Sequence, residues 1–165
     1  MVAVAAARTM IRDIHAHTPE VFRSYEPRWE LWTRELERYD IDEETILVGH
    51  SAGAGFLTKY LSIHPELKVG RVVLVAPWLD PDGTIEEKAF FEFKPDEHLA
   101  KRTAGVDVLF AVDDSESVHA SIDFLKRNFE GFNYHEFPKG YGHFTYDNLK
   151  GSSFPELRDL VLREL

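Results

Sequence analysis

An apolar run at 45–48 ends on Gly49-His50-Ser51-Ala52-Gly53, and a helix-like pattern begins at Ala52. This strand–turn–helix order constrains the fold more than any other stretch of the chain. A backbone that passes from strand to helix within a residue or two must turn sharply. The turning serine is held in strained φ/ψ with its hydroxyl above the sheet. Glycines on both flanks let the neighbouring backbone pass without a Cβ clash. The following helix aims its N-terminus at the turn, so the Ala52 N–H is placed to donate to a developing oxyanion. Ser51 is therefore a candidate nucleophile, and the rest of the chain must supply its partners.

Three further β-rich runs lie at 71–76, 107–112 and 132–137. The runs at 45–48, 71–76 and 107–112 are apolar through their middles, as in parallel strands covered on both faces. Helical patterns fill 27–39, 52–64, 115–129 and the tail after Ser153. In the first, Trp29, Trp32, Leu36 and Tyr39 recur at spacings of three and four, with Pro27 suited to the first turn. In the third, Val118, Ile122, Leu125 and Phe129 make one stripe. The tail buries Leu157, Leu160 and Val161 behind Pro155. Strands alternating with helices imply a single α/β domain over 1–165, a three-layer sandwich with a short, mainly parallel sheet of about four strands flanked by helices. The connection 77–105 is long, carries Phe90, Phe91 and Phe93, and is expected to be functional or to hold structure of its own.

A nucleophilic serine needs a base, and the base an orienting carboxylate. In an open α/β sheet such groups gather at the C-terminal ends of strands, and in folds built on a strand–serine–helix elbow the chain order is Ser, acid, His. The run "VLFAVDDSES" delivers Asp113 and Asp114 at the end of the third strand. Asp114 is the first candidate acid, Asp113 the next, and Asp80, also past a strand end, the third. One of Asp113 and Asp114 is also expected to cap the following helix. His143, in "KGYGHF" beyond the last strand, is the candidate base, because Gly140 and Gly142 leave its ring room to turn. His50 lies inside the elbow, where it can shape a pocket but is badly placed as the base. His50, Trp78 and Phe91 are the expected substrate-pocket residues. The competing reading of Trp78 and the loop phenylalanines is a small satellite core.

The segments "ETILVGHSAGAGFLTKYLS", "VGRVVLVAPWLDP", "VDD" and "GYGHF" together resemble the small, single-domain α/β-hydrolases of the retinoblastoma-binding serine hydrolase group. The likeness runs from about Trp29 to the C-terminus. It implies Ser51, Asp114 and His143 as a catalytic triad and hydrolysis of small esters or amides, with no cofactor. Two departures stand out. After "VDD" the apolar Val118 comes one residue later than in such relatives. The Leu-x-Cys-x-Glu signature cannot occur, because the chain has no cysteine.

The front of the chain departs further. Members of that group begin with a strand and a glycine-containing loop that gives the second oxyanion donor, whereas residues 1–28 contain no glycine. "MVAVAAARTMIRDI" reads as a short helix, with "VAV" a weak strand candidate. The expectation is an α/β-hydrolase-like domain truncated at its N-terminus. Its strand at 45–48 would then be an exposed apolar edge, open to a homodimer that completes the sheet. The alternative to an enzyme is a catalytically impaired binding or scaffold domain that keeps the triad residues.

Composition closes several other routes. A net charge of −10 in 165 residues repels phosphate backbones, so nucleic acid is not an expected partner. No apolar run is long enough to span a bilayer, and the first residues lack the basic region of a signal peptide, so a cytoplasmic protein without a membrane partner is expected. His15-x-His17 could face one way on a strand as in metal-dependent amidohydrolases. Those are TIM barrels of roughly 250 residues, and no later ligand set follows here, so the pair reads as solvated loop histidines and no metal is expected. "GAG" at 53–55 lacks the rest of any nucleotide-loop motif.

Overall fold

Strands β1 (Val4–Met10), β2 (Asp13–His17), β3 (Thr45–His50), β4 (Arg71–Val75), β5 (Val106–Ala111) and β6 (Phe132–Phe137) form one sheet. Their spatial order is β2-β1-β3-β4-β5-β6. The structure, a computed structural model, describes residues 4–10, 13–21 and 24–162. Strands β3 to β6 are parallel, with Ile46 opposite Arg71, Val72 opposite Val106 and Ala111 opposite Phe137. Their C-terminal ends therefore lie along one rim of the sheet. That rim gathers the turns at Ser51, Ala76, Asp113 and Gly140, which are distant in sequence.

Helices α1 (Trp29–Leu36), α2 (Ala52–Ile63), α3 (Glu116–Asn128), α4 (Tyr146–Leu149) and α5 (Pro155–Leu162) complete the framework. Strand pleating sorts the core. Val72 and Leu74 join one apolar cluster with Trp32 and Leu36 of α1 and Phe56, Leu57 and Leu61 of α2. Val73 and Val75 join the other, with Val118 and Ile122 of α3 and Leu160 of α5. Two cores on opposite strand faces are the three-layer arrangement expected of a buried parallel sheet. Pro27 falls just before the Arg28 N-cap of α1 rather than in its first turn. Among the described residues no helix is long and apolar enough to cross a membrane.

The N-terminal segment differs from its expected form. Residues expected to be a short helix make β1 and β2, an antiparallel pair in which Ala6 faces His17 and Met10 faces Asp13. Residues 1–3, 11 and 12 of that segment lie outside the described residues. β1 also lies antiparallel to β3, with Val4 opposite Gly49 and Arg8 opposite Thr45. Alanine-rich sequence favours helix by only tenths of a kcal/mol per residue, whereas an apolar strand edge presents a row of open hydrogen-bonding groups. Tertiary pairing wins. It also gives β3 a neighbour on both sides, so the homodimer expected through 45–48 finds that edge already occupied by this chain. His15 and His17, expected in a loop, sit on β2, and both are exposed.

The connection 77–105 does hold structure of its own, including 3-10 turns at Lys88–Phe90 and Leu99–Arg102. Phe90 is fully buried in the first core, edge-on to Trp32 with ring centroids 5.1 Å apart. Lys59, on α2, donates from Nζ to the Ala89 carbonyl at 2.5 Å and lies 4.0 Å from the Trp29 ring centroid. These contacts tie the connection onto α1 and α2.

One charged cluster sits inside the sheet. Asp107 of β5, 2% exposed, accepts from Arg71 of β4 at 2.7 Å and from His135 of β6 at 2.8 Å. Removing one partner of a buried ion pair costs about 3–5 kcal/mol, because the remaining charge loses its counter-charge out of water. Asp107→Ala is accordingly expected to lower the unfolding free energy by about 3 kcal/mol or more in urea denaturation. A midpoint equal to that of the wild type would mean that the guanidinium is fully compensated elsewhere.

Candidate active site

The turn after β3 is pinned by the backbone around it. Ser51 takes φ 55° and ψ −124°, a strained conformation for a residue with a Cβ. Its N–H donates to the Val75 carbonyl at 2.9 Å. Its carbonyl accepts from Ala54, Gly55 and Trp78 at 3.0, 3.2 and 3.2 Å. Strand, helix and the start of the long connection thus share one residue, and this over-determination maintains the strain. Gly49 lets the first turn of α2 pass: a Cβ there would lie 2.7 Å from the Ala54 nitrogen and from the Gly53 oxygen.

Gly55, further along α2, permits a second close approach. A Cβ on it would sit 2.2 Å from the Trp78 carbonyl oxygen and 2.6 Å from a Phe91 ring carbon. Alanine would gain roughly 1 kcal/mol of helix propensity. Driving a methyl into a fixed backbone carbonyl costs about 1–3 kcal/mol or more. The clash outweighs the gain, so Gly55→Ala is expected to destabilise the fold and lower the thermal midpoint. A raised midpoint would show that α2 and the connection separate freely.

At the rim, Ser51 Oγ lies 2.9 Å from His143 Nε2, and His143 Nδ1 lies 3.0 Å from each oxygen of Asp114. An ionised carboxylate only accepts, so Nδ1 carries the proton and Nε2 turns its lone pair to the serine hydroxyl. The Asp114 side chain is 2% exposed and that of His143 33% exposed, so the carboxylate is sealed while the imidazole remains open. Asp114 also accepts from the Ser115 N–H at 2.7 Å. Neither aspartate caps α3. Ser115 does, accepting from the Val118 N–H at 3.3 Å, which leaves both carboxylates free for the rim.

The other two candidate acids have different partners. Asp80 is turned into its own loop, accepting from the Thr84 and Ile85 N–H groups at 2.6 and 3.0 Å. Asp113 accepts from the N–H groups of Gly140 and Gly142 at 2.7 and 3.0 Å. These donors, Gly140 foremost, hold its carboxyl below the usual carboxylate range. A folded value below the unfolded one means that these bonds stabilise at neutral pH and are lost as pH falls through the lowered value.

The pocket candidates separate. Trp78 and Ala52 line a cavity of about 450 Å³ beside the elbow, whose other walls include Tyr25, Arg28, Ile85 and Glu87. Phe91 packs edge-on against Trp78, ring centroids 5.6 Å apart. His50 is not one of those walls; its ring lies 4.9 Å from that of His143, and it donates from Nε2 to the His143 carbonyl at 2.8 Å. Sequence reading missed Asn148, whose Oδ1 accepts from the His143 N–H at 3.1 Å. The signal was available: Thr145 and Asn148, three apart, form a capping box at the start of α4.

A mainly parallel sheet, a strained serine between strand and helix, and a histidine and carboxylate at neighbouring strand ends define an α/β-hydrolase-like protein. The chain belongs to the serine hydrolase family, whose model matches residues 7–122. That span includes Ser51 and Asp114 and stops before His143. The fold is similar to the crystal structure of the ydeN gene product from B. subtilis, with a TM-score of 0.73 and 23% identity over 87% of this chain and 78% of that one. It is also similar to a predicted CIB-like hydrolase from Thermoplasma acidophilum, with a TM-score of 0.51 and 15% identity over 92% and 67% of the two chains. At these identities the likeness concerns the fold. No curated protein matches the sequence.

Proposed function

We propose that this chain is a carboxylesterase-like serine hydrolase that cleaves small esters or amides through an acyl-enzyme. The observation that carries the reading is the unbroken line from Ser51 Oγ through both His143 nitrogens to Asp114, at 2.9 and 3.0 Å. His143 Nε2 takes the Ser51 proton as Oγ attacks the substrate carbonyl carbon. The oxyanion that forms accepts from the Ala52 N–H, at the head of α2. His143 passes its proton to the departing alcohol or amine as the carbonyl–leaving-group bond breaks. Water then enters and gives a proton to the same nitrogen as it attacks the acyl carbon, and the intermediate collapses as His143 returns that proton to Ser51 Oγ, breaking the acyl C–Oγ bond and releasing the acid. Asp114 stays ionised throughout and stabilises the imidazolium.

The cavity beside Ala52 is the site for the substrate, with Trp78 as an apolar wall. Its volume suits a small molecule. The resemblance to the retinoblastoma-binding serine hydrolase group agrees with such substrates, and the absence of cysteine leaves no ground for the retinoblastoma partner. The reading is tested by a fluorophosphonate probe and intact mass: one adduct on the wild type and none on Ser51→Ala. A folded wild type that takes no adduct replaces this reading with that of a binding domain on a hydrolase fold.

A further inference from the structure

The loop that carries His143 has little regular structure to hold it. Gly140, Gly142 and Phe144 all take positive φ, at 111°, 44° and 53°. A segment with such dihedrals makes neither helix nor strand bonds, so its polar backbone groups must find other partners. Side chains supply them. Asn148 accepts from the His143 N–H, His50 donates to the His143 carbonyl, and Asp113 accepts from Gly140 and Gly142. Phe144, 7% exposed, anchors the far end in the second core.

Asp113 engages the two N–H groups on the strand side of His143. Its Oδ2 takes Gly140 and its Oδ1 takes Gly142, the residue directly before His143. Both oxygens are engaged, so the site needs a carboxylate: an amide has only one acceptor, and its NH2 would face the second N–H. The topology explains how it reaches. β5 and β6 are adjacent and parallel, Ala111 stands opposite Phe137, and the Val112 N–H bonds the Phe137 carbonyl at 3.0 Å. The turn after β5 therefore runs beside the loop after β6. Two consecutive aspartates on that turn divide the loop between them, one on its backbone and one on the imidazole.

We propose that Asp113 is a positioning residue for His143, fixing the loop backbone while Asp114 fixes the ring. The proposal rests on the reading of Ser51, His143 and Asp114 as a catalytic line. Displacing a catalytic group by about 1 Å can cost about 10²-fold in rate. Asp113→Ala is expected to lower kcat for a small chromogenic ester by about 10²-fold with little change in KM. Asp113→Asn, with one acceptor kept, is expected to fall between the two. The downfield proton resonance of the His143 Nδ1–H, bonded to Asp114, should broaden or shift in the alanine variant.

The competing role is purely structural. It predicts a lower thermal midpoint in Asp113→Ala, with wild-type kcat per folded molecule and an unchanged histidine resonance. That result overturns the proposal. If the alanine variant does not fold, the near-isosteric Asp113→Asn carries the test, and wild-type kcat in it overturns the proposal equally. A loss in Asp113→Asn as large as that in Asp114→Asn would make Asp113 a member of the catalytic line and also overturns it. A wild type that takes no fluorophosphonate adduct overturns the catalytic reading and this proposal together. An adduct formed at the same rate on wild type and Asp113→Ala overturns this proposal alone.

Discussion

Ser51→Ala is expected to abolish the fluorophosphonate adduct and to lower ester turnover by at least about 10⁴-fold, because losing the nucleophile disables the whole catalytic unit. Folding should be almost unaffected. Serine and alanine both carry a Cβ, so the cost of φ 55° is common to both, and the backbone bonds to Val75, Ala54, Gly55 and Trp78 are untouched. Equal thermal midpoints with a lost adduct would assign the effect to Oγ itself. Labelling of both proteins would place the reactive hydroxyl elsewhere and overturn the proposed function.

The parallel half of the fold was readable because each of its elements repeats a local rule. The run at 132–137 is β6 to the residue, and the runs at 71–76 and 107–112 match β4 and β5 to within a residue at each end. The meeting of Ser51, Asp114 and His143 was readable for a related reason: each follows a strand, and a parallel sheet brings such positions to one rim. What escaped was set by distance. Whether an alanine-rich stretch becomes helix or strand depends on the apolar edge of β3, some forty residues downstream, so periodicity could not predict the β1–β2 pair. The contacts of Asp113 and His50 depend on side chains meeting backbone across 27 to 93 residues. No spacing rule covers such contacts. The cap on α3 is Ser115, while the two aspartates before it bond the histidine loop.

That division of labour makes Asp114→Asn the more informative of the two aspartate substitutions. In the wild type, Asp114 Oδ1 accepts from the Ser115 N–H at 2.7 Å as well as facing His143 Nδ1. An asparagine has one carbonyl oxygen, and the fixed Ser115 N–H, which can only donate, claims it. The amide NH2 takes the place of Oδ2 beside Nδ1, where it pairs with an accepting nitrogen, so the tautomer with the proton on Nε2 is favoured. A protonated Nε2 cannot take the Ser51 proton. The heavy-atom geometry would be kept and the chemistry lost, so kcat is expected to fall by about 10⁴-fold. KM should hold, since no substrate contact changes. Steady-state kinetics beside Asp113→Asn settle the order. If Asp114 orients the base, its amide variant is the slower by at least about 10²-fold, the gap between losing the tautomer and loosening the loop. If Asp113→Asn is the slower, the acid has been assigned to the wrong carboxylate, and the loop bonds to Gly140 and Gly142 belong to a resting arrangement that rearranges when substrate binds.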